Sequence, residues 1–142
     1  MKNLNQKGAT LVLMEQRNKI MVVDDNLIDQ MITAHVLKNI NTNGEIMVME
    51  SATEALEYLY KHQYNPSVLP SLIVLDLDMP GLNGLGFLER FKEFSEEVKS
   101  ICRIVVLTAS EIQSDIEHIQ AHPDVSKLIL KPLDKNAFAP II

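Results

Sequence analysis

Cysteine is almost missing from this chain of 142 residues, where Cys102 stands alone. One thiol cannot close an internal disulfide, and its isolation fits a reducing compartment. Long hydrophobic runs are missing as well: no apolar stretch nears the ~18 residues that cross a bilayer. Leu11-Val12-Leu13-Met14 is too short for the apolar core of a secretory signal. Positive charge is in deficit, with 13 Lys and Arg against 19 Asp and Glu, a net charge of -6 and a pI near 5.1. That balance argues against nucleic acid as the main partner. His35, His62, His118 and His122 are scattered without metal-ligand spacing, and no internal repeat or low-complexity tract is visible. The expectation is a soluble cytoplasmic protein that touches neither membrane nor nucleic acid directly.

What is present is ordinary globular material, 46% hydrophobic and 23% charged, enough for one domain with a real core. Its informative feature is the way four short apolar runs stop. Ile20-Met21-Val22-Val23 stops at Asp24-Asp25, and Leu72-Ile73-Val74-Leu75 stops at Asp76. Ile104-Val105-Val106-Leu107 stops at Thr108, and Leu128-Ile129-Leu130 stops at Lys131-Pro132. Such runs, rich in β-branched residues, read as strands buried on both faces of a parallel sheet. Ligands of these sheets sit beyond the strand C-termini, so acids, a hydroxyl and a lysine would converge on one site. Glu45 to Met49 supplies a further strand.

Helical patterns separate the strands. Ile28, Met31, Ile32, Val36 and Leu37 recur at helical spacing, fading near Asn39, before the turn cluster Asn41-Thr42-Asn43-Gly44. Ser51-Ala52-Thr53-Glu54 is a capping box ahead of Ala52, Ala55, Leu56 and Leu59. Phe87, Leu88, Phe91 and Phe94 stripe a third helix, with Glu96-Glu97 as its exposed end. Ile112, Ile116 and Ile119 mark a fourth that stops near His122-Pro123, and Asp134 to Ile142 forms a short last one. Met21, Met31, Met47 and Met49 read as core filler, and Cys102 as a partly buried bystander. The alternation implies right-handed crossovers and a doubly wound α/β sheet with helices on both faces. Residues 1–18 fall outside it and read as an N-terminal extension, with Met14 a possible natural start.

Each polar strand end has a bland reading. Asp24 and Asp25 could cap the following helix; Asp76 could be a turn aspartate before Met79-Pro80-Gly81; Thr108 could simply close a strand; Lys131 could be a solvated charge. Their combination changes the weighing. Three clustered carboxylates resist joint ionisation without a cation, and oxygen ligands of this kind suit Mg²⁺. Asp76 is the candidate nucleophile, able to accept a phosphoryl group as an acyl phosphate. Asp78 offers its side chain to the site or only its backbone carbonyl to a metal. Thr108, with small Ala109 and Ser110 behind it, can bond a phosphoryl oxygen. Proline makes a cis Lys131-Pro132 peptide accessible, a bend that would aim Lys131 across the strand ends.

From about Lys19 to Leu133 the chain resembles the receiver domain of two-component response regulators, of the stand-alone, chemotaxis type. The resemblance rests on Asp24-Asp25, on Asp76 followed by Met79-Pro80-Gly81 and Gly84, on Thr108-Ala109 and on Lys131-Pro132. It implies a flavodoxin-like sheet of five strands in order 2-1-3-4-5, with the receiver domain over residues 19–142. It makes Asp76 the phosphoacceptor and Asp25 a direct Mg²⁺ ligand, with Asp24 acting mostly through water and the Asp78 carbonyl a further ligand. Thr108, Ala109 and Lys131 would bind the phosphoryl group. The donor would be a sensor histidine kinase or histidine phosphotransfer protein, and the output a contact with a downstream protein through the face after the fourth strand. The domain would catalyse its own phosphorylation and dephosphorylation without being a turnover enzyme.

The chain departs from that family in three places. Leu128 stands where an aromatic switch residue is usual, three positions before Lys131. Asp78 is acidic at a variable position, where it could affect attack by water on the acyl phosphate. Eleven residues follow Lys131 and Pro140 falls among them, so the last helix is short. Two other readings compete. Asp76-Leu77-Asp78, Thr108 and Lys131 also follow the motif order of haloacid-dehalogenase-type phosphatases, with Asp76 as nucleophile and Asp78 as general acid/base. Against this, the acidic pair lies upstream of the lysine and there is no room for a cap. A pseudo-receiver that binds partners without phosphorylation is the weaker choice, because all four elements are intact.

Overall fold

The computed structural model of the chain describes residues 19–40, 44–79, 83–110 and 112–138. Five parallel strands form one sheet in the order β2-β1-β3-β4-β5. They are β1 (Lys19–Val23), β2 (Glu45–Met49), β3 (Leu72–Asp76), β4 (Arg103–Thr108) and β5 (Val125–Leu130). The flavodoxin-like order expected from the resemblance is therefore the observed one. β3 lies at the centre, and all five of its residues are buried. The strands alternate between two apolar layers, as parallel strands covered on both faces must. Met21, Val23, Ile73, Leu75, Ile104 and Val106 face one layer. Ile20, Val22, Leu72, Val74, Val105 and Leu107 face the other.

α1 (Leu27–Ile40) packs Leu37 into the second layer together with Phe138. α2 (Ala52–His62), α3 (Gly84–Phe91), α4 (Glu96–Ile101) and α5 (Gln113–Gln120) cover the first. The cap of α2 follows the expected pattern: the Ser51 hydroxyl accepts the Glu54 N–H at 3.0 Å. The Glu54 carboxylate reaches back one residue further than in a standard box, to the Glu50 N–H at 3.2 Å. Tyr58 ties this helix to the loop before β3 by donating to the Val68 carbonyl at 2.9 Å.

The structure corrects several sequence expectations. Only the C-terminal part of the α1 stripe faces the core: Leu37 is buried with Val36 packed beside it, but Ile28 and Met31 are 68% and 65% exposed, and Leu27 and Ile32 are exposed with them. Gln30 and Thr33 join Leu37 on the inward face, with the Gln30 amide drawn in to donate to the Asp24 carbonyl at 2.6 Å. Met31 is thus not core filler, whereas Met21 and Met49 are buried. Phe94 lies beyond α3, with its ring tilted against Phe91 at 5.8 Å. Glu96 and Glu97 begin a separate helix, α4, whose Ser95 cap accepts the Val98 N–H at 3.3 Å. Acids in a first turn and a hydroxyl cap together start a helix here where a fading end was expected. Cys102 is fully rather than partly buried, and burial pushes its thiol up to about 12, leaving it inert.

The turn residues 41–43, Pro80-Gly81 of the turn after β3, the extension over 1–18 and the end of the last helix over 139–142 lie outside the described residues. The part of that last element within them is a single 3₁₀ turn, Lys135–Phe138. No helix among the described residues is long and apolar enough to cross a membrane.

Candidate functional site

The C-terminal ends of β1, β3, β4 and β5 meet at one edge of the sheet, and the hydrogen-bond ladder carries each chain into its loop. The Asp24 N–H donates to the Met49 carbonyl at 3.0 Å and the Leu77 N–H to the Leu107 carbonyl at 2.8 Å. The Lys131 N–H donates to the Thr108 carbonyl at 2.9 Å. The polar residue after each apolar run is therefore fixed by strand pairing.

Asp24, Asp25 and Asp76 each bring a carboxylate oxygen to within 4.8 Å of the others, the cluster among the described residues that could hold a metal ion. Asp24 and Asp76 are buried at 1% and 3% exposure, while Asp25 is open to solvent. Oδ1 of Asp24 accepts the Asn26 N–H at 2.9 Å. Its Oδ2 is buried without a hydrogen-bond partner, an expensive arrangement for a carboxylate unless a cation or proton completes it. Burial, with the Asp76 charge adding to it, pushes the Asp24 carboxyl up to about 6 against the pull of the Asn26 N–H. An acidic cluster with an orphaned oxygen fits a hard divalent cation.

Lys131 reaches into the same site. Its ammonium lies 3.3 Å from Asp76 Oδ1 and 3.4 Å from Asp29 Oδ2. Burial works to lower the Lys131 pKa, but the Asp76 carboxylate, joined by Asp29 and Asp24, pulls the other way, and the result is a raised value. The peptide bond from Lys131 to Pro132 is cis. Asp76 Oδ1 also accepts the Asp78 N–H at 3.1 Å. The Asp78 carboxylate turns the other way. Its Oδ2 accepts the Ala109 N–H at 3.0 Å and faces the buried Thr108 hydroxyl at 3.3 Å.

Asp24, Asp25, Asp76, Asp78, Thr108, Ala109 and Lys131 thus border one site, and two more residues join it. Asp29 pairs with Lys131, and Gln30 fixes the Asp24 backbone. Asp29 gave no separate signal, because an acid in the first turn of a helix is ordinary for its position. Gln30 gave none, because its role depends on which way α1 rolls.

A family model described as the response regulator receiver domain matches residues 20–142. The chain belongs to that family. Among curated relatives, the probable methanogenesis regulatory protein FilR2 of Methanothrix harundinacea is 30% identical over 114 residues, covering 80% of this chain and 72% of FilR2. The two-component response regulator ARR15 of Arabidopsis thaliana is 31% identical over 119 residues, which cover 80% of this chain and 55% of ARR15. Among solved structures, the phosphorylated cyanobacterial phytochrome response regulator RcpA is 30% identical with a TM-score of 0.69, covering 87% of this chain and 86% of its own. A two-component response regulator from Cytophaga hutchinsonii shares the fold at a TM-score of 0.78 and 24% identity, covering 86% of this chain and 91% of its own. Receiver domains are signalling proteins that work with histidine kinases or phosphotransfer proteins, not classical turnover enzymes. The phosphatase alternative is left without support.

Proposed function

We infer that this receiver domain accepts one phosphoryl group on Asp76 from a phosphohistidine donor, a sensor histidine kinase or a histidine phosphotransfer protein. The observation that carries the reading is the meeting of three carboxylates with the Lys131 ammonium, 3.3 Å from Asp76, at the end of the central strand. In the transfer an Asp76 carboxylate oxygen bonds to phosphorus while the P–N bond to the donor imidazole breaks. The imidazole leaves with the electron pair and takes up a proton. Lys131 keeps its own proton throughout, since its pKa is raised, and so offsets the charge gathering on the phosphoryl oxygens. Asp25, Asp24, Asp76 and the Asp78 carbonyl would hold Mg²⁺. When bound there, the ion supplies neutralisation of the acidic cluster and of phosphoryl charge. Attack of water on the acyl phosphate returns Asp76 and releases phosphate, an activity of the domain on itself.

The domain spans residues 19–142, preceded by the extension 1–18, and works in the cytoplasm through protein contacts rather than on nucleic acid or membrane. The donor has to set its imidazole beside Asp76, and α1 follows directly from the Asp24-Asp25 end of the site. Its Leu27, Ile28, Met31 and Ile32 offer that donor an apolar landing face. Output runs through the segment from Thr108 to Ser114 toward a downstream protein, because Leu128 has no ring to swing.

Incubation with acetyl phosphate and Mg²⁺, followed by intact mass, tests the reading. One phosphoryl group should appear in the natural protein and none in Asp76→Asn or in excess chelator. Equal labelling of Asp76→Asn overturns it.

A further inference from the structure

Thr108 and Ala109 have two donors to offer a phosphoryl group, one hydroxyl and one backbone N–H, and both are already engaged by the same side chain. Asp78 Oδ2 takes the Ala109 N–H at 3.0 Å, and the Thr108 hydroxyl points between Oδ2 at 3.3 Å and Oδ1 at 3.4 Å. Asp78 is itself exposed, so nothing in the core requires that orientation. Its backbone N–H is meanwhile bonded to Asp76 Oδ1 at 3.1 Å, which holds the residue beside the phosphoacceptor.

We propose that Asp78 is a resident anion in the phosphoryl cradle: its carboxylate holds Thr108 and Ala109 in the resting state and must be evicted when Asp76 is phosphorylated. The proposal rests on the reading of Asp76 as phosphoacceptor. A carboxylate is an acceptor-only group of the same sign as a phosphoryl group, and it satisfies the same donors. The phosphoryl group brings up to two negative charges to within reach of Asp78. The two anions then compete for two donors and repel each other as well. Because Asp78 borders water, eviction trades its two hydrogen bonds for hydration and needs no rearrangement of the core.

The eviction has somewhere to go. Thr108 Oγ1 accepts the Ser110 N–H at 3.0 Å, and the Ser110 hydroxyl donates to Asp115 in the first turn of α5 at 3.3 Å. The same Ser110 oxygen accepts the Ile112 N–H at 3.3 Å. Asp78, Thr108, Ser110 and Asp115 thus form one hydrogen-bonded chain from the loop after β3 to α5. Turning the Thr108 hydroxyl from Asp78 toward a phosphoryl oxygen resets the first link of that chain. This route to α5 does not pass through Leu128.

Two measurements test the assignment on the full chain with Asp78→Ala and Asp78→Asn, substitutions at an exposed position whose folding is checked by thermal melting. In chelator and without any phosphoryl mimic, the Ala109 amide proton should resonate upfield in Asp78→Ala relative to the natural protein, with Asp78→Asn between them. With Mg²⁺, beryllofluoride should bind Asp78→Ala about tenfold more tightly, the scale of one or two released hydrogen bonds, and Asp78→Asn by a smaller factor. At beryllofluoride saturation the Ala109 shifts of the natural protein and Asp78→Ala should coincide. Equal or weaker binding by Asp78→Ala, or an Ala109 shift that ignores the substitution, overturns the proposal. If the natural protein binds no beryllofluoride and takes no phosphoryl group from acetyl phosphate, the phosphoacceptor reading fails and this one falls with it. Tight binding by the natural protein without improvement in Asp78→Ala defeats the resident anion alone.

Discussion

Replacing Gly84 by alanine should damage the site from the far side of a loop. Gly84 opens α3, and a Cβ there would lie 2.8 Å from the Leu77 Cα, 2.9 Å from the Leu77 Cδ1 and 3.2 Å from the Asp76 carbonyl oxygen. The Cδ1 can rotate away, but the Cα and the carbonyl belong to the backbone between Asp76 and Asp78. Carbon atoms rest at about 3.5–4.0 Å, so the loop has to retreat by roughly 0.7 Å. Overpacking of this kind costs about 1–3 kcal/mol. Alanine recovers at most about 1 kcal/mol of helix preference over glycine, and less at the first helical position. The balance is a loss of about 1–2 kcal/mol, or a fall in Tm of roughly 3–8 °C for a domain of this size. The displaced loop also carries the Asp78 carbonyl, so Mg²⁺ should raise the Tm of the variant by less than it raises that of the natural protein. Calorimetry of both proteins, with and without Mg²⁺, measures the two effects together. A variant that melts at or above the natural Tm with full Mg²⁺ stabilisation refutes the packing argument.

Other perturbations separate the site from its scaffold. The Asp24 carboxyl is raised from 3.8 to about 6 in the folded chain, so its protonation favours the folded state. In chelator, the stability it contributes is complete below pH ~4 and is lost as pH rises through ~6, on the order of 1–3 kcal/mol. The stability of Asp24→Asn relative to the natural protein should therefore grow across that window and shrink again when Mg²⁺ is added; urea titrations showing a pH-independent difference contradict this. Ser51→Ala removes the cap of α2 and should cost about 1 kcal/mol by denaturant unfolding, with Mg²⁺ affinity unchanged. Ile28→Ser with Met31→Ser should leave stability within about 0.5 kcal/mol, because both side chains are exposed. Phosphotransfer from a phosphohistidine protein should slow in that double variant while labelling by acetyl phosphate does not; equal slowing of both would place the two residues outside the donor interface.

The sheet was legible because a strand buried on both faces has to be written as an unbroken apolar run, and a functional strand end has to interrupt it. Ile73 to Asp76 and Ile104 to Thr108 show that rule directly. α1 was legible as a helix but not in its orientation. Apolar periodicity locates a stripe, whereas burial goes to the face that the rest of the fold turns inward, here Gln30 and Thr33 beside the expected Leu37. The start of α4 was hidden by the aromatic run ending at Phe94, which suggests one longer helix. At the site, residues fixed by strand pairing could be named in advance. The contact between Asp78 and the pair Thr108-Ala109 joins two loops thirty residues apart and follows from no local pattern.

The placement of Asp76 on β3 has a further consequence for where motion can occur. β3 is the middle strand, paired with β1 on one side and β4 on the other, and is wholly buried. Its amides should be among the slowest to exchange with solvent, opening only with the whole domain. The acceptor carboxylate is therefore anchored to the stiffest part of the molecule. Around it, Asp78 hangs on the loop after β3 and Thr108 sits at the very end of β4, where the chain leaves the sheet for a loop, and loops open far more readily. Work done at Asp76 cannot relax by moving Asp76, so it is delivered to Asp78, Thr108 and the start of α5, the elements with the freedom to respond.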